Sequence, residues 1–118
     1  MKPLVKIKRI YEPVEKSDGI RILVDRLWPR GIKKEDAAID EWVKTIAPSD
    51  DLRKWFNHDI SRWKSFEQKY KQELQANKDI EAFVSSHKKD KVITLLFSAK
   101  DPLYNNAVVL QQYLKAML

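Results

Sequence analysis

The chain lacks or is short of several residue types, and each shortage excludes a kind of chemistry. It has no cysteine, which rules out disulfides, thiolate nucleophiles and zinc–cysteine centres. Two glycines are too few for a Walker loop or a GxGxxG nucleotide fingerprint. The two histidines, His58 and His87, stand far apart, so the sequence contains no HExxH-like metal motif. We therefore expect neither a metal nor another cofactor.

Long apolar runs are also missing. The longest, Val92–Phe97, is interrupted by a threonine and is far too short to span a bilayer. The first residues alternate apolar and basic side chains and lack the apolar segment of a signal peptide. These features predict a cytoplasmic protein with no membrane partner. The 118 residues suit one ordinary domain, so we expect a single domain over residues 1–118.

The net charge of +6 is unevenly distributed. Residues 1–34 hold ten of the 23 lysines and arginines but four of the 17 acidic residues, so the surplus lies in the first third. A localised basic surface attracts an anion, which can be a phosphorylated or carboxylated small molecule or a nucleic acid. The plainer alternative is a well-solvated basic surface that aids solubility.

The hydrophobic pattern predicts an α/β fold. Val5–Lys8 alternates with period two, and Ile20–Val24 is rich in β-branched residues, so both segments read as strands. Val92–Phe97 is almost continuously apolar, which is typical of a central strand covered on both faces. A long helical region separates the second and third strands, as a crossover between parallel strands requires. The order β-β-(helices)-β-α predicts a small, three-layer-like domain with a short, at least partly parallel sheet.

Helix signals fill the region between those strands. Ile39, Trp42, Val43 and Ile46 have the spacing of one helical face, which predicts a short helix that Pro48 ends. Ser49 followed by two aspartates predicts the start of the next helix. Further helices are predicted after Asp59 and Asp79, which we expect as caps, and over residues 107–118.

Charged residues follow the two apolar strands where each strand ends. If the strands are parallel, these residues meet at the carboxyl edge of the sheet, where open α/β sheets usually bind ligands. The start of the last helix would add unpaired amides and a positive dipole end. The predicted ligand-binding residues are Asp25, Arg26, Trp28, Arg30, Lys100, Asp101, Asn105 and Asn106.

Each of these residues also has a purely structural interpretation. Asp25 can pair with a neighbouring arginine or cap a turn, and Trp28 can belong to the core. One residue of Asn105-Asn106 is expected to cap the last helix, and Lys100-Asp101 can form an exposed ion pair of little energetic value. Asp25 and Asp101 could act as an acid–base pair, but we expect the surrounding basic residues to keep both ionised. Whether the site is catalytic is left open.

Several segments spread along the chain are similar to those of one known family. They are VDRLWPRG at residues 24–31, APS at 47–49 and AKD at 99–101, together with Asn105. On these segments the chain resembles the YeaO-like family, domain of unknown function 488, whose members are bacterial and archaeal. That family has no established biochemical activity, so the resemblance implies the family without implying a reaction.

The resemblance also implies that the two charged clusters form one pocket. Longer relatives carry an Asp-Val-Arg-like motif, which corresponds to Asp25-Arg26, and a Cys-His-Arg stretch, which corresponds to Tyr104–Asn106. Here Tyr104 stands where a cysteine or a histidine is expected. Thiol chemistry and histidine acid–base chemistry at that position are therefore lost, and any shared activity would use the Asp, Arg, Lys and Asn residues.

Three functional hypotheses follow. The first is a protein that binds a small anionic molecule at the sheet edge. The second is a nucleic-acid-binding module that uses the basic N-terminal third, with phosphate contacts from Lys6, Lys8, Arg9, Lys33 and Lys34. The third is a non-catalytic interaction protein in which the Trp-Pro-Arg-Gly loop is the partner surface. The sequence does not indicate an oligomeric state.

Overall fold

The protein has an α/β fold built on a four-stranded, fully parallel sheet. The structure, a computed structural model, describes residues 2–118. The strands lie in the order β1-β4-β2-β3, so the third strand predicted from the sequence, now β4, lies between the first two. They are β1 (Leu4–Arg9), β2 (Ile20–Leu23), β3 (Glu41–Trp42) and β4 (Val92–Phe97). The parallel direction expected for β2 and β4 is confirmed, and β1 is parallel as well.

The central strands are buried on both faces because their apolar residues alternate between two cores. Ile93, Leu95 and Phe97 of β4 belong to the main core, whereas Leu96 points into a smaller core with Leu23. Both cores need apolar side chains, which explains why β4 is apolar at every position except Thr94. The sheet therefore separates two layers of unequal thickness.

Within residues 2–118, five helices accompany the sheet. They are α1 (Lys34–Ala37), α2 (Asp50–Phe56), α3 (Trp63–Ala76), α4 (Asp79–His87) and α5 (Asn106–Met117), with 3₁₀ turns at Lys16–Asp18, Lys44–Ile46 and Ile60–Arg62. Helices α2 to α5 contribute to the main core, whereas the smaller core is formed with residues of α1, β3 and the loops. Within residues 2–118, no helix is both long and apolar enough to cross a membrane.

The helix predicted over residues 39–46 is wrong. Glu41–Trp42 forms β3, which pairs in parallel with β2 through hydrogen bonds such as Val43 N to Leu23 O at 2.9 Å. The four apolar residues do not share a face. Ile39 and Trp42 pack into the smaller core, whereas Val43 and Ile46 pack into the main core. The four apolar residues have the spacing of a helical face only because the chain crosses the edge of the sheet here and places two of them in each core.

The predicted helix starts are mostly confirmed. Ser49 caps α2 by accepting a hydrogen bond from Leu52 N at 3.1 Å, and Asn105 caps α5 through Val108 N at 3.1 Å. Asp59 caps the 3₁₀ turn that leads into α3. Asp79 is not a cap, because it is the first residue of α4 and its N–H is bound by the Asn77 side chain at 2.9 Å.

Candidate functional site

A cleft of about 800 Å³ opens at the carboxyl edge of the sheet. Its walls come from the segments after β2 and β4, from the end of α2 and from the start of α5. All eight residues that the sequence singles out line it: Asp25, Arg26, Trp28, Arg30, Lys100, Asp101, Asn105 and Asn106. The two charged clusters are therefore brought together because β2 and β4 are adjacent and parallel.

Asp25 lies in the cleft wall and is held by neutral donors. Its Oδ2 accepts hydrogen bonds from Ser98 N at 2.9 Å and from Ser98 Oγ at 2.8 Å, and its Oδ1 accepts one from Asn106 Nδ2 at 3.1 Å. Burial raises the pKa of Asp25 above its ordinary value, although these hydrogen bonds oppose the rise. The sequence led us to expect that basic neighbours hold Asp25 in its ionised form, but Arg26 donates its hydrogen bonds elsewhere and the net shift of the Asp25 pKa is upward.

Arg26 turns toward the segment before α2. Its Nε donates to Pro48 O at 3.0 Å and a terminal nitrogen donates to Ala47 O at 3.4 Å. Among residues 2–118, no carboxylate lies within 4 Å of this guanidinium. Arg26 is thus a half-buried cation, oriented by two neutral carbonyl groups and lining the cleft.

The Ala47-Pro48-Ser49 segment supports the site through its main chain, and Pro48 also lines the cleft. It supplies both carbonyl acceptors for Arg26. Ser49 donates to Glu73 through its N–H at 2.8 Å and through its hydroxyl at 2.6 Å, which fixes the start of α2 to α3. This motif therefore sets the orientation of Arg26 and the position of α2.

The loop between β4 and α5 is stabilised by its own polar side chains. Asp101 Oδ1 accepts hydrogen bonds from Leu103 N at 2.9 Å and Tyr104 N at 3.1 Å. The buried Asn105 donates to Asp101 O at 2.9 Å and uses its oxygen to cap α5. Asn105 is committed to the loop, Asn106 positions Asp25, and Asp101 keeps one oxygen outside these bonds.

The remaining predicted residues differ in their surroundings. The Trp28 indole donates to Ile32 O at 2.7 Å and meets Trp42 edge-on, with 5.3 Å between ring centroids. It belongs to the smaller core as well as to the cleft wall. Arg30 and Lys100 are exposed at the cleft, and within the described part of the chain neither takes part in an ion pair.

The end of α2 adds cleft residues that the sequence did not single out as site residues. Arg53, Lys54, Asn57 and His58 all line the cleft. Arg53 and Lys54 pair with Asp50 at 2.7 and 2.9 Å. Asn57 and His58 both have left-handed backbones, with φ of 45° and 55°. An asparagine after an apolar helical stretch signals such a helix end, but nothing in the sequence places this end beside the sheet edge.

The basic residues of the nucleic-acid hypothesis are largely engaged within the protein. Lys6 donates to Ser17 O at 3.1 Å, and Lys8 pairs with Asp18 at 3.0 Å. Arg9 donates to Ala99 O at 2.9 Å and to Ser98 O at 3.3 Å. Lys33 and Lys34 are exposed. The five residues therefore do not form one free basic stripe, and nucleic-acid binding stays a prediction.

Comparison with known proteins identifies relatives over nearly the whole chain. A family model described as "Inactive DUF488-N3 subclade" matches residues 4–118. The uncharacterised protein YeaO of Escherichia coli is 45% identical over 113 residues, which cover 96% of this chain and 98% of that protein. The uncharacterised Mycobacterium tuberculosis protein Rv3073c is 44% identical over 70 residues, 59% of each chain. No solved structure matches.

Proposed function

The chain belongs to the DUF488 family, within the subclade described as inactive, and from this premise we propose that its cleft binds a small anionic molecule without transforming it. The proposal combines the family description with the chemistry of the cleft wall. In this proposal, cationic side chains bind the negative charge of the ligand, and no residue acts as a nucleophile.

The observation that carries the proposal is the unpaired guanidinium of Arg26. Removing a charged side chain from water is costly unless an opposite charge compensates it. Arg26 has two neutral carbonyl partners, at 3.0 and 3.4 Å, but within residues 2–118 no carboxylate partner. A guanidinium held in a fixed plane presents its remaining N–H groups as a fork, which suits a phosphate or a carboxylate.

Other cations around the cleft strengthen the attraction. Lys100 and Arg30 line it from the loops after β4 and β2, and among the described residues neither takes part in an ion pair. A concave surface with an excess of one sign of charge raises the local concentration of oppositely charged ligands. Asp25 and Asp101 are the acidic residues in the wall, and both accept hydrogen bonds from groups of the protein.

The same contacts support binding in preference to catalysis. Asp25 is surrounded by hydrogen-bond donors from Ser98 and Asn106 that fix it in place. The family resemblance implies a cysteine in longer relatives, or a histidine in close ones, at the position of Tyr104, whose ring packs edge-on to Trp63 with 5.4 Å between ring centroids. These groups build a rigid wall, and the chain has no thiol to attack a substrate.

Titration calorimetry tests the proposal with inorganic phosphate and citrate as probes at low ionic strength. We expect both anions to bind wild type, and we expect Arg26→Gln to weaken binding at least about tenfold because a charge-assisted pair is lost. Arg26→Lys keeps the positive charge but lacks the forked pair of N–H donors. We expect its anion affinity to lie between the affinities of wild type and Arg26→Gln. Lys115→Gln, an exposed position at the far end of α5, is the matched control and should bind as wild type does.

Two results would contradict the proposal. One is an absence of measurable binding of either anion to the wild type at millimolar concentration. The other is equal binding by wild type and folded Arg26→Gln, since the anion would then lie elsewhere. The cytoplasmic location expected from the sequence stays a prediction, and fractionation of cells that produce the protein would test it.

A further inference from the structure

Asp25 restricts which anion suits the cleft, and the following inference rests on the proposed function. A carboxylate has about four lone-pair positions for hydrogen bonds. Ser98 fills two of them on Oδ2, and Asn106 fills one on Oδ1. Among residues 2–118 one position on Oδ1 is therefore without a donor, and Asp25 is part of the cleft lining. A ligand oxygen that carries negative charge would be repelled there, whereas an N–H or O–H group would be bound.

The cleft also has an aromatic side. Phe56 and Phe66 stack with 4.4 Å between their ring centroids, and both reach the cleft wall. Tyr104 is half-buried, and its ring packs edge-on to Trp63 with 5.4 Å between ring centroids; Trp63 in turn packs against both phenylalanines. His58 is exposed at the cleft wall, with 6.4 Å between its ring centroid and that of Phe56. Tyr104 and His58 therefore offer accessible rings, whereas the two phenylalanines are nearly fully buried.

The backbone at His58 is consistent with a role in binding. Asn57 and His58 both adopt the left-handed conformation, which non-glycine residues seldom occupy and which costs about 1–2 kcal/mol per residue. The turn is held by Asn57 N to Arg53 O at 3.1 Å and by Asp59 N to Phe56 O at 2.9 Å. This turn keeps the imidazole at the cleft wall.

We infer that the anion bound in this cleft carries a planar heteroaromatic ring with a hydrogen-bond donor, as a nucleoside monophosphate does. Its phosphate would bind Arg26 and Lys100, its donor group would bind Asp25, and its ring would stack on Tyr104 or His58. Base stacking on aromatic side chains is a general way to bind such rings. The volume of about 800 Å³ also suits a ligand of this size, whereas a bare phosphate would fill little of it.

Calorimetric titrations of a graded ligand series test this inference. The series is inorganic phosphate, ribose 5-phosphate and each of the four common nucleoside 5′-monophosphates. We expect at least one nucleotide to bind about tenfold or more tightly than ribose 5-phosphate, because only the nucleotide adds a stacking ring. If phosphate and ribose 5-phosphate bind in an Arg26-dependent way and no nucleotide binds more tightly, this inference is overturned while the proposed function stands. If nothing binds, both fail.

Variants of the aromatic wall provide the second arm. Tyr104→Leu keeps apolar volume but removes the ring, and we expect it to reduce the nucleotide's advantage over ribose 5-phosphate several-fold. Tyr104→Phe is the matched control and should retain the advantage. If Tyr104→Leu does not fold, His58→Ala at an exposed position takes its place. The stacking assignment would be overturned if every one of these two variants that folds, Tyr104→Leu or His58→Ala, still binds the nucleotide more tightly than ribose 5-phosphate by the same factor as wild type.

Asp25→Asn provides the third arm. The substitution removes the negative charge, so inorganic phosphate is expected to bind at least as tightly as it binds wild type. The nucleotide is expected to lose part of its advantage because the donor meets a weaker acceptor. A variant in which the nucleotide advantage is unchanged would contradict a hydrogen bond between the ligand and Asp25.

Discussion

Asp25 and Ser98 join the ends of two parallel strands across the edge of the sheet. The Asp25 Oδ2 atom accepts both the main-chain N–H of Ser98 at 2.9 Å and its hydroxyl at 2.8 Å. Asp25 follows β2 and Ser98 follows β4, so this pair connects the two segments that form the cleft. The connection is the structural reason that two distant parts of the chain make one site.

Ser98→Ala tests the energetic value of this connection. The substitution removes the hydroxyl donor and keeps the main-chain donor, so we expect a loss of about 1.5–3 kcal/mol in the free energy of unfolding if Asp25 is ionised. Urea denaturation at pH 7 measures it. Ser65→Ala, at an exposed position of α3, is the control and should change stability by less than about 0.5 kcal/mol. Equal effects of the two substitutions would mean that the hydroxyl contributes nothing specific.

The raised pKa of Asp25 predicts a particular pH dependence. Burial raises this pKa above its ordinary value of 3.8 in the folded protein. The folded state therefore holds the proton at pH values where the unfolded state has lost it, and this group lowers stability as the pH rises from about 3.8 through the folded-state pKa. Asp25→Asn lacks this titration, so the wild type should lose stability relative to the variant over that range.

Urea denaturation of both proteins at pH values from 3 to 7 checks this expectation. Comparing the two proteins cancels the titration of distant groups that both share. The His58 charge acts on Asp25, and the Asp25 charge acts on Tyr70. Comparing the single variant His58→Gln with the double variant Asp25→Asn/His58→Gln therefore provides a control for the histidine. A difference in unfolding free energy that stays constant across the range would show that Asp25 has the same pKa in both states.

A second buried carboxylate predicts the opposite pH behaviour. Burial of Asp18 opposes its ionisation, but hydrogen bonds from the Glu15 main chain, Lys8 and Arg21 outweigh burial and lower the pKa of Asp18. Its contribution to stability is present above pH 3.8 and is lost as the pH falls through the lower folded-state pKa. Asp18→Asn leaves the buried Arg21 without its carboxylate partner, which typically costs about 3–5 kcal/mol, whereas Lys8 keeps Glu15.

Thermal and urea unfolding at pH 7 measure this loss. Glu15→Gln is the matched control, because Glu15 is the exposed partner of the same Lys8, at 3.0 Å. Its effect should stay below about 1 kcal/mol. An Asp18→Asn protein as stable as Glu15→Gln would show that Lys8 and Arg21 find other partners.

The sequence correctly predicts those elements whose position follows from a single local pattern, such as an apolar run or a helix-capping residue. β2, β4 and the helix caps at Ser49 and Asn105 fall in this class, and so do the charged strand ends. The segment at residues 39–46 fails because its apolar residues serve two cores on opposite sides of the sheet. A periodicity argument assumes one buried face, and here that assumption does not hold.

The cleft residues likewise divide into those that local sequence patterns predict and those whose position depends on packing. Residues that directly follow β2 and β4 could be placed in it because parallel strands end at the same edge. Arg53 and His58 could not, since their position depends on how α2 packs against the sheet. The direction of Arg26 also depends on non-local contacts, namely the carbonyl groups of Ala47 and Pro48. Local patterns therefore locate the site, whereas packing determines which charges remain unpaired there.

The two glycines form a matched pair for a last prediction. Gly19, with φ of 63°, leads into β2, and a Cβ atom there would lie 2.4 Å from the Val92 carbonyl oxygen of β4. Gly31, with φ of 77°, has no atom within 4 Å of the corresponding position. Both Gly→Ala substitutions place an L-residue at positive φ, which costs about 1–3 kcal/mol, and Gly19→Ala, with ψ of −131° outside the left-handed region, adds about 1–3 kcal/mol from the clash with a central strand. Urea denaturation should therefore rank Gly19→Ala below Gly31→Ala in stability, and the reverse order would mean that β4 yields at Val92.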